Sequence, residues 1–231
     1  MKKALIILVL TMVSASWTQS MSQINGGFKM GIDFSNIKMT LGDGDFNKEF
    51  DTKRLISPRM GFFIRGYVYE GLFIQASTMF GVKGVRWDDE RERNNKWVDS
   101  KEYQIILCLD IPVNVGYMFD LDGVKLFGMV GPVITSNMYT TNLYKADGEW
   151  DNEHHYIGTE ITDTYKPWDF GINIEGGVQL SRFEFTAFYT QGLKNLSNFE
   201  GGNYKTNVFG FTAAILFGPV DSGRGGYRYG R

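Results

Sequence analysis

The stretch that decides the fold is the last apolar run of the chain, K-T-N-V-F-G-F-T-A-A-I-L-F at residues 205–217. Its residues alternate between a large apolar set and a small, weakly polar set. Successive side chains of a strand point to opposite faces, so this alternation predicts a strand with one apolar face and one small face. The apolar parity holds Phe209, Phe211, Ala213, Ile215 and Phe217, and the small parity holds Thr206, Val208, Gly210, Thr212 and Ala214.

An apolar strand face is buried in the core of a soluble sheet, but it turns outward to lipid in a transmembrane barrel, where small residues fill the lumen. A soluble sandwich or a lipocalin-like barrel also has alternating strands, but neither needs every second connection to be long. Here about eight alternating segments are joined by connections that are long and short in turn. The predicted fold is therefore all-β, an eight-stranded antiparallel up-and-down transmembrane β-barrel with short periplasmic turns and long outer loops.

The connections can be placed on the sequence. Short reversals are predicted at 69–71, 120–123 and 181–182, where turn-forming residues separate alternating segments. The mixed-charge run 86–102 has no apolar stripe and is interpreted as a solvated loop. Long polar loops are also predicted at 38–57, 140–166 and 192–204.

The two ends of the chain differ from this pattern. Residues 1–20 have a positive start, an apolar run of about ten residues and a small, polar stretch, which is typical of a secretory signal peptide. That run is well short of the ~20 residues that a spanning helix needs. We expect the barrel to occupy 21–218 and the Gly- and Arg-rich 219–231 to form a flexible C-terminal tail.

Composition narrows the class of protein. The net charge is −2 and the sequence has no basic patch, which disfavours a nucleic-acid binder. Gly at 28 residues, aromatics at 15% and Pro at only 5 residues suit many closely packed strands better than a helical bundle. The single cysteine, Cys108, cannot form an internal disulfide.

Eight charged residues fall on the parity opposite to lipid. An eight-stranded barrel is only just wide enough for side chains to fill it, and an unpaired buried charge costs several kcal/mol. We therefore expect these residues to form a polar network that plugs the lumen, and a narrow path for ions or small solutes is the alternative. They are Lys29, Asp33, Arg65, Lys83, Asp110, Asp169, Glu175 and Glu184.

The only two histidines, His154 and His155, lie in the acidic segment 140–166. With Ser136 or Asp163 they would be candidates for a hydrolase site at the outer rim, or they would bind a divalent metal. Adjacent histidines on an extended loop point apart, however, and no motif places a nucleophile beside them. A solvated loop is favoured, and no catalytic residue, metal ligand or cofactor is assigned.

Aromatic residues cluster near the predicted strand ends, which is typical of the two interfacial girdles of a membrane barrel. The set near the long loops is Trp87, Tyr103, Tyr139, Trp168, Tyr189 and Tyr204. The set near the short turns is Tyr69, Tyr117, Phe119, Phe183 and Phe217.

Several stretches resemble, in order and spacing, the PorT-like outer-membrane β-barrel domain family. They are G-F-K-M-G-I-D-F-S-N at 27–36, L-D-I-P-V at 109–113, M-V-G-P at 129–132, F-Y-T-Q-G-L-K-N at 188–195 and the closing strand. The sequence departs from the family at Phe188, where an Arg is common, and in running on past Phe217.

The resemblance implies a barrel in the outer membrane of Gram-negative bacteria and, for some members of the family, a link to protein secretion. We expect a non-enzymatic structural or partner-binding component whose partners are outer-membrane lipid and another envelope protein, with no nucleic acid. A narrow channel and a rim hydrolase are the alternatives, and the oligomeric state stays open.

Overall fold

The computed structural model describes residues 24–41, 48–49, 52–93, 96–146, 149–158, 164–199 and 201–217. The predicted signal peptide at 1–20 and the predicted tail at 219–231 lie outside these ranges. Within the described ranges, no helix is long and apolar enough to span a membrane.

The strands form one antiparallel sheet that closes on itself. Their bounds are β1 Ile24–Leu41, β2 Lys48–Glu49, β3 Lys53–Tyr69, β4 Leu72–Arg93, β5 Lys96–Leu121, β6 Val124–Ala146, β7 Glu149–His155, β8 Trp168–Leu180, β9 Phe183–Gly192 and β10 Gly202–Phe217. Eight of them, all but β2 and β7, follow one another around the ring in chain order. The ladder between β1 and β10 runs from Gly26 opposite Phe217 to Leu41 opposite Gly202 and closes the ring. The predicted eight-stranded up-and-down barrel is confirmed.

Burial alternates along the barrel strands as the sequence predicts. In β10, Phe211 and Ile215 are exposed, whereas Gly210, Thr212 and Ala214 are buried. The same alternation runs through β3, β8 and β9. Large apolar side chains therefore cover the outer wall, and the alternate side chains point into the interior, which we call the lumen.

The three short reversals are also confirmed. The turn between β5 and β6 has Asp122 at φ 48° and Gly123 at φ 101°, the left-handed pair that a two-residue hairpin favours. The turn between β3 and β4 places Gly71 at φ 81°, and the turn between β8 and β9 places Ser181 at φ 53°. All three lie at one end of the barrel, the end at which β1 starts and β10 finishes.

The prediction of a solvated loop at 86–102 is wrong. β4 and β5 continue as a paired hairpin, from Arg86 opposite Tyr103 to Arg93 opposite Lys96. A hairpin that extends beyond lipid meets water on both faces, so its sequence need not alternate between apolar and polar residues. The missing apolar stripe therefore indicated a different environment for the strands, not a loop.

The long loops at 38–57 and 140–166 are shorter than predicted for the same reason. β1 extends to Leu41 and β3 begins at Lys53. β6 extends to Ala146, and β7 pairs with it from Thr140 opposite His155 to Ala146 opposite Glu149. The outer ends of β4, β5 and β6 together with β7 thus form a four-stranded sheet above the barrel, which we call the outer sheet.

Eight of the eleven aromatic residues follow the predicted girdles, Tyr204 and Trp87 do not, and Tyr103 is half-buried on β5. Those near the short turns are exposed on the outer wall, as are Tyr139, Trp168 and Tyr189 near the other end. The prediction that Tyr204 belongs to a girdle is wrong, because this residue lies on the inward parity of β10 and is only 8% exposed. The same prediction for Trp87 is wrong as well, since its side chain is partly buried and packs against the cluster that includes Tyr204.

Candidate functional site in the barrel lumen

All eight charged residues predicted for the lumen are buried, and none is more than 8% exposed. They come from six different strands, so contacts between them cross the interior. The structure arranges seven of them in three groups, stacked from the short-turn end of the barrel to the long-loop end.

The first group surrounds Arg65, near the short turns. Its Nη2 donates to Glu184 Oε2 at 2.7 Å and to Gln75 Oε1 at 2.6 Å, and its Nε donates to the same Gln75 oxygen at 2.9 Å. The Arg65 Cζ lies 4.5 Å from the ring centroid of Phe73 and 5.2 Å from that of Phe127. A guanidinium that is ion-paired and enclosed by rings fills this level of the lumen.

The second group joins Lys29 to two carboxylates in the middle of the barrel. Lys29 Nζ donates to Glu175 Oε2 at 3.0 Å and lies 3.9 Å from Glu184 Oε1. The other Glu175 oxygen, Oε1, accepts from Asn114 Nδ2 at 3.1 Å and Asn173 Nδ2 at 2.8 Å. Because Lys29 approaches both Glu175 and Glu184, it connects this group to the Arg65 group.

The third group centres on Asp110. Its Oδ1 accepts from Lys83 Nζ at 2.7 Å and from Thr135 Oγ1 at 2.6 Å, and its Oδ2 accepts from Arg59 Nη2 at 3.1 Å. Arg59 Nε lies 3.5 Å from Asp33 Oδ1. Two cations and two carboxylates therefore neutralise one another at this level.

Asp169 lies outside these groups. Its Oδ2 accepts from Thr206 Oγ1 at 2.8 Å, and no ion pair between described side chains includes it. The buried charges of the described lumen are four cations and five carboxylates. This near balance suits internal pairing, whereas ion-selective pores are lined by an excess of one sign.

Sequence reasoning missed Arg59, which follows Pro58 just beyond the loop predicted at 38–57. β3 in fact starts at Lys53, and its ladder with β4 shifts register between Arg54 and Arg59, which leaves room for a proline. Arg59 shares the inward parity of Arg65, and this signal was available in the sequence.

Arg59 also explains the departure at Phe188. The Phe188 side chain points into the lumen, and Arg59 Cζ lies 4.3 Å from its ring centroid. At the position where the resembling family commonly has an Arg, this protein places an aromatic face against an arginine from another strand. The lumen thus keeps a cation at this level.

Neutral partners of the charged groups were also left out of the predicted network. Gln75 and Asn114 lie on the inward parity that the sequence predicts, but only the structure shows that they bind Arg65 and Glu175. Thr135 bridges Lys83 and Asp110 in the same way. Such contacts depend on how strands across the lumen are staggered, which alternation does not specify.

An apolar cluster, here called the outer cap, fills the long-loop end of the lumen. It consists of Ile37, Met39, Val85, Ile106, Tyr165, Leu196 and Tyr204. Tyr165 and Leu196 come from the connections on either side of β8 and β9, not from the barrel strands. Burial raises the pKa of the Tyr165 hydroxyl, which therefore stays protonated.

Backbone and side-chain hydrogen bonds tie the two connections of the outer cap together. Lys166 N donates to Leu196 O at 3.0 Å, and Lys166 Nζ donates to Ser197 O at 2.7 Å. Asn137 Nδ2 donates to Lys166 O at 3.0 Å and so joins them to the barrel wall. These bonds hold the two connections of the outer cap against the barrel wall.

The short-turn end has its own apolar filling, here called the inner cluster. It consists of Phe73, Met118, Phe127 and Met129, with Phe63, Ala214 and Leu216 beside them. Between the inner cluster and the outer cap, a cavity of about 10 Å³ is lined by Lys29, Arg59, Asp110 and Glu175, among others. A cavity of this size holds about one water molecule.

The alternative rim site lies largely beyond what the structure describes. His154 and His155 belong to β7, but their side chains and all of Asp163 lie outside the described part of the chain. Ser136 is part of β6 and half-buried. Among the side chains that the structure does describe, no group of three His, Cys, Asp or Glu residues is arranged to hold a metal ion.

Comparisons with solved structures find small barrels at low similarity. Ail, the attachment invasion locus protein of Yersinia pestis, in complex with the heparin analogue sucrose octasulfate, is 12% identical over 84% of this chain and 99% of its own, with a TM-score of 0.39. Neisserial surface protein A is 11% identical over 82% and 97%, with a TM-score of 0.35. The N-terminal barrel domain of Pseudomonas aeruginosa OprF is 10% identical over 84% and 100%, also with a TM-score of 0.35.

A family model matches the sequence itself. No curated protein matches the chain significantly. The sequence model of the family described as outer membrane protein beta-barrel domain matches residues 15–198, which include seven of the eight barrel strands. The family places the protein in the cell outer membrane. In barrels of this membrane the short turns are periplasmic and the long connections lie outside. The chain belongs to the outer membrane protein β-barrel domain family.

Proposed function

We propose that the protein is a closed, non-enzymatic outer-membrane barrel that serves as a structural or partner-binding component of the envelope. The observation that carries this proposal is the filled lumen, in which paired charges lie between the outer cap and the inner cluster. A barrel filled in this way has no interior surface to offer a solute. Contacts with other molecules therefore fall to its outer surfaces.

The outer sheet is the surface we propose for a protein partner. Within the described residues β7 pairs only with β6, so its second edge is open. An open edge presents unpaired backbone N–H and C=O groups, to which an extended segment of another protein can add as a further strand. The resemblance to PorT-like barrels supports a partner in protein secretion.

The narrow channel and the rim hydrolase receive less support. The cavity among the lumen charges has room for about one water molecule, which supports a closed lumen over a channel. The hydrolase rests on two histidine side chains outside the described set, and no observation brings a nucleophile to them.

Site-specific photo-crosslinking in native outer membranes tests the partner-binding proposal. A photoreactive residue at Asn152, which is exposed on β7, is expected to give one discrete crosslinked protein. The matched control is Asn203, which is exposed at the outer end of β10 and pairs with β1. Equal labelling at both positions, or none at Asn152, would contradict a partner on the β7 edge.

A further inference from the structure

We propose that three outward-facing cations, Lys38, Lys205 and Arg54, form a binding site for the phosphate of an anionic lipid in the outer leaflet. All three are exposed and lie on the outward parity of β1, β10 and β3. The site is on the outer wall and separate from the charges of the lumen. It belongs to the three strands on one side of the barrel where β10 meets β1.

The site lies directly above the lipid-facing surface. On the same outward rows, Phe34 stacks on Phe209 with ring centroids 4.7 Å apart and planes at 7°. Lys38 follows Phe34 by four residues, about 13 Å along the strand. The cations thus occupy the level at which the apolar wall ends and lipid headgroups begin.

The two lysines are direct cross-strand neighbours, since Lys38 pairs with Lys205 in the ladder of β1 and β10. Like charges directly opposite each other destabilise a sheet pair. No ion pair between described side chains includes either lysine. A bound anion between the two ammonium groups would remove this repulsion.

Arg54 is held at the lower border of the site by contacts with the wall. Its Cζ lies 4.8 Å from the ring centroid of Phe209, and its Nη1 donates to Phe34 O at 3.3 Å and to Asn207 Oδ1 at 3.4 Å. Both bonds use Nη1, and a guanidinium has further donors on its other two nitrogens. A planar donor of this kind suits the paired oxygens of a phosphate.

The position of the site favours a lipid phosphate over a soluble one. The wall beneath it carries Phe34, Phe209 and Ile56, so a ligand that binds the cations and also covers this wall needs acyl chains. Basic residues at this level attract anionic headgroups, at about a fivefold gain in affinity for each cation.

A second pair of opposed lysines provides a matched control. Lys101 faces Lys145 in the ladder of β5 and β6, but it also faces Asp88 in the ladder of β4 and β5. This pair belongs to the outer sheet, above the membrane level, and has an acidic neighbour. Replacing Lys101 and Lys145 changes the net charge as much as replacing Lys38 and Lys205 does, but it leaves the proposed site unchanged.

The test uses the refolded barrel in phosphatidylcholine nanodiscs that contain lipid A, a bisphosphorylated glycolipid, as the probe. Native mass spectrometry after transfer to detergent counts the lipid A that stays bound. The double variant Lys38→Gln/Lys205→Gln is expected to lose roughly 30-fold in retained lipid A, because two cations are removed. Lys101→Gln/Lys145→Gln is expected to retain the wild-type amount.

A second variant, Arg54→Gln, is expected to lose less of the retained lipid A than the double variant does. Gel mobility before and after boiling checks that each variant is folded. Millimolar inorganic phosphate is expected not to displace lipid A. Undiminished retention in the first double variant, equal loss in the control pair or displacement by inorganic phosphate would each overturn the proposal. A dimer peak in place of lipid-bound monomer would assign this face to a second copy and overturn it as well.

Discussion

The inward and outward faces of β10 place different limits on their side chains. Gly210 faces the lumen, where an added Cβ would lie 2.7 Å from ring carbons of Phe188 and closer still to Ile32 O. Phe211, the next residue, is 58% exposed on the outer wall. Volume and charge pairing therefore limit the inner face, whereas hydrophobicity alone limits the outer face.

The largest effect is expected from Gly210→Leu. The lumen at this level is filled by Phe188, so a larger side chain cannot fit without moving β1 or β9. We expect the barrel not to close, which gel mobility before and after boiling measures directly. The matched control is Phe211→Leu, which replaces one apolar outward side chain by another and should assemble normally. Normal assembly of Gly210→Leu together with failure of Phe211→Leu would invert the assignment of the two faces.

Arg65→Ala should destabilise the folded barrel by about 3–5 kcal/mol, because it leaves Glu184 buried without its closest cation. Urea unfolding in lipid vesicles gives the free energy of unfolding. Arg182→Ala is the control, since Arg182 is exposed in the turn between β8 and β9. An unchanged midpoint for Arg65→Ala would mean that water, not protein, solvates Glu184.

Phe211→Arg should cost about 2–4 kcal/mol, because Phe211 lies near the middle of the lipid-facing wall. The same unfolding experiment measures it. An arginine at Phe217, close to the periplasmic end of β10, should cost about 1 kcal/mol or less. Equal costs at the two positions would show that the outer wall of β10 does not cross the membrane as assigned.

The smallest effect on global stability is expected from Leu196→Ala in the outer cap. Leu196 is fully buried, but it belongs to a connection and not to a barrel strand. We expect faster hydrogen exchange and faster proteolysis around residues 164–167 and 193–199, with the unfolding midpoint of the barrel little changed. A loss as large as that of Arg65→Ala would show that the outer cap supports the whole barrel.

The sequence predicts those parts of the barrel where lipid and lumen impose different chemistry on alternate residues. This difference is why the facing of β10 and the inward position of Arg65 follow from alternation. Turn-forming residues between the alternating segments predict the three short turns. The outer sheet could not be predicted in this way, because its strands extend beyond the lipid-facing wall and lack the alternation of apolar and polar residues. Arg59 was missed because β3 begins at Lys53, inside the loop predicted at 38–57.

The contacts between side chains within the lumen could not be predicted from the sequence. Which carboxylate meets Lys29 depends on the stagger of β1 against β8 across the interior, and alternation carries no information on stagger. For Tyr204, two signals in the sequence pointed to different environments. Its parity in β10 indicates the lumen, but its aromatic character at a strand end suggested a girdle.

The central claim is that the lumen is closed by two apolar clusters and the ion-paired network between them. Conductance of the purified, folded protein in planar lipid bilayers tests it most directly. We expect no discrete current steps from the wild-type protein. We also expect none from Leu196→Ala, because the Arg65 group and the inner cluster still fill the lumen when the outer cap is weakened. Stable unitary steps from the folded wild-type protein would contradict the claim.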